Sequence, residues 1–167
     1  MKLATLCYVR RDGRTLMLHR NKRPDDTHFG KWNGLGGKFD QGETPEECAR
    51  REIREESGLE AHMLDLKGVI TFPKFAKNED WYVFLFVAQA DGEPIAECPE
   101  GELVWIDDAN LLSLNLWEGD EIFIPWLDRP DFFSARFAYE NGRLKSHEAR
   151  FYPASPCLES GASSRRP

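Results

Sequence analysis

Three glutamates of one predicted helix could together bind a divalent cation. Glu52, Glu55 and Glu56 are spaced three and four residues apart, a spacing that brings carboxylates to one side of a helix. Like charges at that spacing cost about 0.2–0.5 kcal/mol per pair, so the arrangement is unfavourable unless something compensates for it. The helix either presents a solvated face balanced by its own arginines, or it carries a cluster that binds metal.

The residues around the cluster favour the second alternative. Five residues separate Gly37 from Glu43, seven separate Glu43 from Arg51, and the cluster is followed by Gly58-Leu59. This order resembles the signature box of the Nudix hydrolases at every defined position. At average residue frequencies, a chance match of this kind is expected in fewer than about one in a million sequence windows. The resemblance implies an enzyme that cleaves a nucleoside diphosphate linked to another group.

A divalent cation also resolves a conflict of charge. The chain has a formal net charge of -7, and a diphosphate is itself anionic, so positive charge must lie between the glutamates and the substrate. Mg²⁺ prefers oxygen ligands and binds carboxylates together with substrate phosphates. The resemblance implies Mg²⁺, with Mn²⁺ as an alternative, bound by Glu52, Glu55, Glu56 and the Gly37 carbonyl. Glu52 and Glu56 are the expected direct ligands, whereas Glu55 either binds metal or assists proton removal.

Further charged residues are expected to assist the cluster. Arg51 resembles the arginine of the box that orients its glutamates, and Glu43 could accept a hydrogen bond from its guanidinium. Glu100 occupies a position from which the family often supplies one more metal-binding or basic glutamate. The candidates to bind phosphates are the loop cations Arg20, Lys31 and Lys38. The alternative for each of these cations is simple solvation.

The approach to the box narrows the substrate. Residues 30–38, with the sequence GKWNGLGGK, resemble the corresponding segment of MutT-type 8-oxo-dGTP diphosphatases. Within that group the resemblance is to the vertebrate oxidised-purine triphosphatases and the streptococcal MutX-like proteins, and it extends from Leu3 to about Tyr152. In that branch, a segment similar to residues 116–120 stacks against the purine and hydrogen-bonds to it.

Three residues have side chains that suit a purine pocket. Trp117 offers a broad face for stacking, worth about 1–3 kcal/mol per base, although a large aromatic residue could instead pack in a core or an interface. Asn33 offers a donor and an acceptor, and Asp120 can accept, or donate when burial raises its pKa. The vertebrate-type pocket has two adjacent aspartates, whereas here Gly119 precedes Asp120. This departure favours a MutX-like pocket over acceptance of several oxidised purines.

These resemblances imply hydrolysis of 8-oxo-dGTP, or a related purine nucleoside triphosphate, to the monophosphate and pyrophosphate. Such an activity would remove an oxidised precursor before DNA synthesis. Two alternatives stay open: an enzyme acting on ADP-ribose, a dinucleotide or an undamaged triphosphate, and a non-catalytic Nudix module that binds a nucleotide. The complete set of glutamates favours an enzyme.

The predicted helix is the element that positions the cluster. Thr44 and Glu47 form a capping box, Pro45 takes the first helical position, and Gly58 ends a helix that runs to about Ser57. Strands are predicted at 3–9, 15–20, 64–72, 81–88 and 102–106, helical segments at 109–114 and 118–127, and hairpin strands at 132–139 and 144–151.

The order of these elements predicts an α/β protein, with a mixed α+β sheet between helices, and the resemblance implies the Nudix fold. Residues 21–38 are predicted to form a surface loop, and Phe72 and Trp81 to lie in the core. A length of 167 residues predicts a single domain, at residues 1–154, followed by a flexible tail at residues 155–167.

Composition and charge exclude several classes of function. The excess of acidic residues disfavours binding to a nucleic-acid polymer, and no segment has the apolar length of a membrane helix. Four scattered cysteines argue against a zinc site or a disulfide framework. We therefore expect a cytoplasmic protein with free thiols, a monomer or alternatively a dimer, whose partner is a small-molecule nucleotide.

Overall fold

The computed structural model describes residues 1–153, and in this range the chain folds around one mixed β-sheet. Its strands are β1 (Lys2–Arg11), β2 (Arg14–His19), β3 (Trp32–Asn33), β4 (Glu60–Ala76), β5 (Glu79–Asp91), β6 (Glu97–Cys98), β7 (Gly101–Asp107), β8 (Phe132–Glu140) and β9 (Arg143–Tyr152). The order across the sheet is β6-β7-β2-β1-β5-β4-β8-β9, with β3 paired to β2. The β1–β5 and β4–β8 pairs are parallel. The predicted tail at residues 155–167 lies outside the described residues.

Helices cover both faces of the sheet, which confirms the predicted fold class. They are α1 (Pro45–Ser57) and α2 (Glu118–Phe123), with 3-10 helices at Asp108–Ser113 and Ile124–Asp128. Successive strand residues point to opposite faces, so neighbours in β1 enter different cores. Val9 packs with Ile53 of α1, whereas Tyr8 packs with Phe123 of α2.

Local sequence signals explain where α1 begins and ends. Thr44 accepts a hydrogen bond from the amide of Glu47, whose carboxylate in turn accepts one from the amide of Thr44, so the predicted capping box is confirmed. A Ser or Thr cap of this kind contributes about 1 kcal/mol. Gly58 ends the helix at φ 74°, a left-handed conformation that glycine adopts without strain.

The glycine-rich segment before α1 lies directly against β1. The amide of Thr5 donates to the Gly37 carbonyl at 2.8 Å, and Cys7 and Leu35 exchange two backbone hydrogen bonds. A Cβ at Gly36 would lie 2.2 Å from the Thr5 carbonyl oxygen, so only glycine permits this approach. The segment is therefore fixed to the central strand of the fold at the point where it meets the helix.

Several elements differ from their predicted form. Strands β4 and β5 extend beyond the predicted spans of 64–72 and 81–88, because their hairpin carries charged residues that conceal the strand pattern. The predicted helix at 109–114 is a 3-10 helix, and the predicted helix at 118–127 is α-helical only to Phe123 before a 3-10 turn that contains Pro125. The predicted loop at 21–38 includes the short strand β3, paired to β2.

Two further expectations concern the thiols and the membrane. Cys7, Cys48 and Cys98 are buried free thiols, whereas Cys157 lies outside the described residues. Among residues 1–153, no helix has the length and apolar character needed to cross a membrane.

Candidate active site

A cavity of about 730 Å³ brings together most of the predicted site residues. Its wall contains three glutamates from α1 and from the loop before β7, here called the carboxylate patch: Glu52, Glu56 and Glu100. It also contains an aromatic group, made up of Phe72, Phe75, Trp81, Trp117 and Tyr139. The cavity therefore joins a surface that carries several carboxylates to an apolar surface.

Glu56 is the most deeply buried residue of the carboxylate patch. Its side chain is only 8% exposed, and one carboxylate oxygen accepts a hydrogen bond from the Gly36 amide at 2.8 Å. Burial raises the pKa of Glu56 to about 8, the Gly36 hydrogen bond opposes this, and the negative charges of Glu100 and Glu52 raise it further. The carboxylate is thus short of positive charge in its surroundings.

Glu52 lies against the glycine segment. A Cβ at Gly37 would be 2.4 Å from a carboxylate oxygen of Glu52, so the missing side chain of Gly37 is what makes room for this carboxylate. Burial raises the pKa of Glu52, although the hydrogen bond from Arg51 lowers it. Glu52 is therefore a second carboxylate whose ionised form is disfavoured in the protein alone.

These features suit a hard divalent cation. The groups are oxygen donors, and an added positive charge would offset both the burial and the mutual repulsion of Glu52, Glu56 and Glu100. Within residues 1–153, no three acidic, histidine or cysteine side chains converge closely enough to form a complete cage. Mg²⁺ usually binds through one or two carboxylates with waters and substrate phosphates, so the observed donor set fits it without a complete protein cage.

Arg51 connects the glutamates of the helix to the preceding turn. Its guanidinium donates to both carboxylate oxygens of Glu43, at 2.6 and 2.9 Å, and to Glu52 at 2.7 Å. The bonds to Arg51 lower the pKa of Glu43 to about 2. Glu55 lies apart from the cavity wall, 57% exposed, and also contacts Arg51 at 3.2 Å. The arginine thereby fixes the orientation of Glu52.

The three predicted phosphate-binding cations have different surroundings. Lys38 lines the cavity, with its ammonium 5.5 Å from the centre of the Trp81 ring. Arg20 also lines the cavity, but its guanidinium is paired with Asp26 at 2.5 Å and with Glu100 at 2.6 Å. Lys31 donates to the Leu116 carbonyl at 2.8 Å. Lys38 is the cation with the most freedom to meet a ligand.

All three residues predicted to contact a base line the cavity: Asn33, Trp117 and Asp120. Trp117 is half-buried and lines the cavity, so it is available for stacking as well as for packing. The side-chain oxygen of Asn33 is buried without a hydrogen-bond partner among residues 1–153. Asp120 is 6% exposed, and burial raises its pKa to about 8. Neutral Asp120 can donate a hydrogen bond into the cavity.

Several cavity residues were not predicted from sequence. Phe75 reaches the wall because a register shift between Phe72 and Ala76, with Lys74 at φ 49°, breaks the alternation of β4. The prediction that Phe72 and Trp81 are core residues was incomplete, since both pack against the core and also line the cavity. No local pattern marks a register shift, although the aromatic spacing of three is a signal against a regular strand.

Two other residues escaped prediction because tertiary contacts place them. His28 accepts a hydrogen bond from the indole of Trp117 at 2.9 Å, and its loop is shaped by Asp26, whose carboxylate accepts from the His28 amide. The Tyr139 hydroxyl accepts from the Gly119 amide at 2.7 Å, and a Cβ at Gly119 would lie 2.7 Å from that oxygen. The Tyr139 hydroxyl therefore takes the space that a side chain, such as the aspartate of the vertebrate-type pocket, would need at position 119.

The buried carboxyl of Asp120 should make stability depend on pH. Its pKa is about 8 in the folded protein against an ordinary value of 3.8, so between these values the folded state holds a proton that the unfolded state releases. The free energy of unfolding should therefore fall as pH rises, by about 1.4 kcal/mol per pH unit from this group. Asp120→Asn should lack this part of the slope in urea denaturation of the metal-free protein at pH 5, 6 and 7. Parallel curves for the two proteins would refute the assignment.

Known proteins resemble this chain in sequence and in structure. The NUDIX domain family model matches residues 1–127. The chain is 38% identical over 140 residues to the oxidized purine nucleoside triphosphate hydrolase of Danio rerio, covering 83% of this chain and 87% of that protein. It is 34% identical over 113 residues to the mouse protein of the same name, covering 67% and 72%. The crystal structure of the MutT protein from Bacillus halodurans is similar with a TM-score of 0.79 and 29% identity, covering 89% and 97%.

Proposed function

The chain belongs to the Nudix hydrolase family, and from this premise we propose that it hydrolyses 8-oxo-dGTP, or a related purine nucleoside triphosphate, to the monophosphate and pyrophosphate with Mg²⁺. The observation that carries the proposal is that one cavity joins the carboxylate patch to the aromatic group. A purine nucleotide has the same two-part character, with a flat apolar base and a polyanionic chain. The names of the relatives support the same substrate class.

The aromatic group would bind the base together with two polar residues, Asn33 and Asp120. Trp117 would stack against the purine, since its half-buried ring forms part of the wall. The unpaired oxygen of Asn33 would accept a hydrogen bond from the base edge. Asp120, neutral below about pH 8, would donate one to a base acceptor. The buried oxygen of Asn33 would thereby gain the partner that it lacks in the free protein.

The carboxylate patch would act at the phosphates. Glu52 and Glu56 would hold the cation, with Glu100 and the Gly37 carbonyl beside them, and Glu55 would hold metal or assist proton removal from its exposed position. When bound, Mg²⁺ neutralises charge that develops on phosphate oxygens and lowers the pKa of a bound water; Mn²⁺ is the alternative metal. Arg51 would keep Glu52 in place through their 2.7 Å contact, and Lys38 would contact the phosphate chain. Arg20 is the alternative cation for the phosphates, and its pairing with Asp26 and Glu100 disfavours that role.

The proposal includes a setting for the enzyme. A hydrolase of free triphosphates acts on the nucleotide pool, so it would work in the cytoplasm as a monomer, without contact to DNA. Its role would be to remove oxidised purine triphosphates before a polymerase uses them. The enzyme would thereby contribute to DNA repair by preventing damage from entering DNA.

A substrate panel tests the proposed function directly. We expect kcat/KM to be highest for 8-oxo-dGTP or another modified purine triphosphate, with pyrophosphate as the second product. The panel should include dGTP, 2-oxo-dATP, ADP-ribose and a dinucleoside polyphosphate, each with Mg²⁺ and with Mn²⁺. A strong preference for ADP-ribose would overturn the proposal while leaving a Nudix hydrolase. Absence of phosphate-bond cleavage with every compound would indicate a binding module.

Trp117→Ala should weaken substrate binding much more than it slows turnover. Loss of a base–aromatic stack worth about 1–3 kcal/mol corresponds to a rise in KM of about 5- to 150-fold, because stacking is already present in the ground state. Steady-state kinetics with the best substrate of the panel would measure both constants. Trp105→Ala is the matched control, since Trp105 is half-buried against the core on the α1 face of the sheet. An unchanged KM with a large loss of thermal stability would assign Trp117 to the core.

A further inference from the structure

A series of hydrogen bonds, joined at His28 through the residue's own backbone and ring, runs from the carboxylate patch to the aromatic group. Glu100 contacts Arg20 at 2.6 Å, and Arg20 contacts Asp26 at 2.5 Å. The other oxygen of Asp26 accepts from the His28 amide at 3.0 Å. The His28 ring accepts from the Trp117 indole at 2.9 Å. Four hydrogen bonds therefore connect a residue expected at the metal to a residue expected at the base.

The central pair of this series is sheltered from solvent. The side chains of Arg20 and Asp26 are 16% and 12% exposed, whereas those of the surface pair Arg136 and Glu148 are 59% and 68% exposed. Exposed pairs contribute little because solvent screens them and long side chains lose entropy. A sheltered pair holds its geometry more firmly. The Arg20–Asp26 pair is therefore a defined connection rather than a transient surface contact.

The protonation of His28 is consistent with its place in the series. Burial, together with the nearby positive charge of Arg20, lowers the pKa of His28 to about 4. The ring is then neutral at physiological pH, so its Nδ1 is free to accept the indole N–H of Trp117. Each donor in the series thus has an acceptor in the protonation states expected near neutrality.

We propose that Arg20 and Asp26 are positioning residues that couple the occupancy of the base pocket beside Trp117 to the placement of Glu100. The inference rests on the proposed function, in which Trp117 contacts the base and Glu100 acts at the phosphates. Both carboxylate oxygens of Asp26 are used, one toward each group, so a base that orders Trp117 and His28 also orders Arg20. Arg20 then presents its second N–H to Glu100 in a fixed direction. The consequence is that a correctly bound base favours the arrangement needed at the phosphates.

The first test measures binding without turnover. Mn²⁺ affinity is measured by electron paramagnetic resonance with and without saturating 8-oxo-2′-deoxyguanosine, a nucleoside that has no phosphate with which to touch the metal. We expect the nucleoside to tighten Mn²⁺ binding about fivefold in the wild-type protein. Asp26→Asn, which keeps the shape but weakens the pairing with Arg20, should reduce this effect to less than about twofold. Asp131→Asn is the matched control, since Asp131 pairs with Arg129 and is 22% exposed.

The second test uses kinetics. Asp26→Asn should lower kcat about tenfold, and this loss should disappear in the background of Glu100→Gln, because the two changes act through the same carboxylate. A direct contact between Arg20 and phosphate predicts the opposite behaviour, since Asp26→Asn would release the guanidinium and lower the KM for a triphosphate. That result would overturn the proposal, as would equal nucleoside coupling in Asp26→Asn and wild type.

The two tests separate this inference from the proposed function. Nucleoside binding is followed by tryptophan fluorescence, and the nucleoside is replaced by that of the best substrate if the panel favours another base. Coupling to Mn²⁺ is therefore measured whichever base is preferred. Absence of coupling in the wild-type protein, together with normal hydrolysis of 8-oxo-dGTP, overturns the inference alone. Coupling in the wild-type protein together with preference for a different substrate overturns the proposed substrate alone.

Discussion

Replacing Glu56 with glutamine is expected to lower kcat by about 10²–10⁴-fold while leaving the fold intact. The amide keeps an oxygen that can accept the hydrogen bond now donated by Gly36 at 2.8 Å, so the glycine segment keeps its contact with α1. The amide is neutral, however, and it neither attracts a cation as a carboxylate does nor accepts a proton. Because burial disfavours the ionised carboxylate of Glu56, thermal stability of the metal-free variant should be equal to or above that of the wild type.

Turnover, metal affinity and thermal stability together check this expectation. Glu46→Gln is the control, because Glu46 is exposed in the first turn of the same helix. It should change kcat by less than about twofold, as is typical of surface substitutions away from a site. A Glu56→Gln protein with turnover near the wild-type value would show that the buried carboxylate is structural, and the metal site would have to be sought elsewhere.

Gly37→Ala is expected to reduce kcat by about 10²-fold with little loss of stability. The added Cβ would lie 2.4 Å from a carboxylate oxygen of Glu52, and a flexible side-chain end can move away at low cost. Displacement of a reacting or orienting group by about 1 Å can reduce a rate about 10²-fold. The neighbouring Gly36→Ala should behave differently, because its Cβ would meet the Thr5 backbone at 2.2 Å and its φ is 144°. That variant should lose stability.

Comparison of single and double variants identifies the cause of the Gly37→Ala effect. If the alanine acts only by moving the Glu52 carboxylate, then Gly37→Ala should add nothing to Glu52→Ala, since effects through one group are not additive. Thermal melts would show whether Gly37→Ala and Gly36→Ala separate as expected. Full additivity of Gly37→Ala and Glu52→Ala would contradict the proposed cause.

The parts of the protein that depend on neighbouring residues could be predicted from sequence. The capping box at Thr44 and Glu47 and the left-handed Gly58 are local features, and they define α1 within one residue. The hairpin predicted from strands at 132–139 and 144–151 also forms, through a turn in which Asn141 and Gly142 both have positive φ. The glutamate spacing was legible for the same reason, because a helix of known register determines which carboxylates are neighbours.

The parts that depend on distant contacts could not be predicted in this way. Phe75 enters the cavity through a register shift between β4 and β5, which is decided by how two strands pair. His28 and Tyr139 reach Trp117 and Gly119 across more than one element. The pairing of Arg20 with Asp26 and Glu100 likewise joins residues that no local pattern connects. Sequence spacing therefore predicts the glutamate cluster better than it predicts the cavity wall around it.

The two cores on opposite faces of the sheet have a consequence for protein engineering. Glu52 and Glu56 belong to the layer of α1, whereas Trp117 and Asp120 belong to the layer of α2. Under the proposed function, substitutions in the second layer can reshape nucleobase preference while the glutamates of the first layer stay unaltered. The scaffold is then suited to directed evolution toward other nucleotides, with the Arg20–Asp26 connection as the place where the two layers must remain compatible.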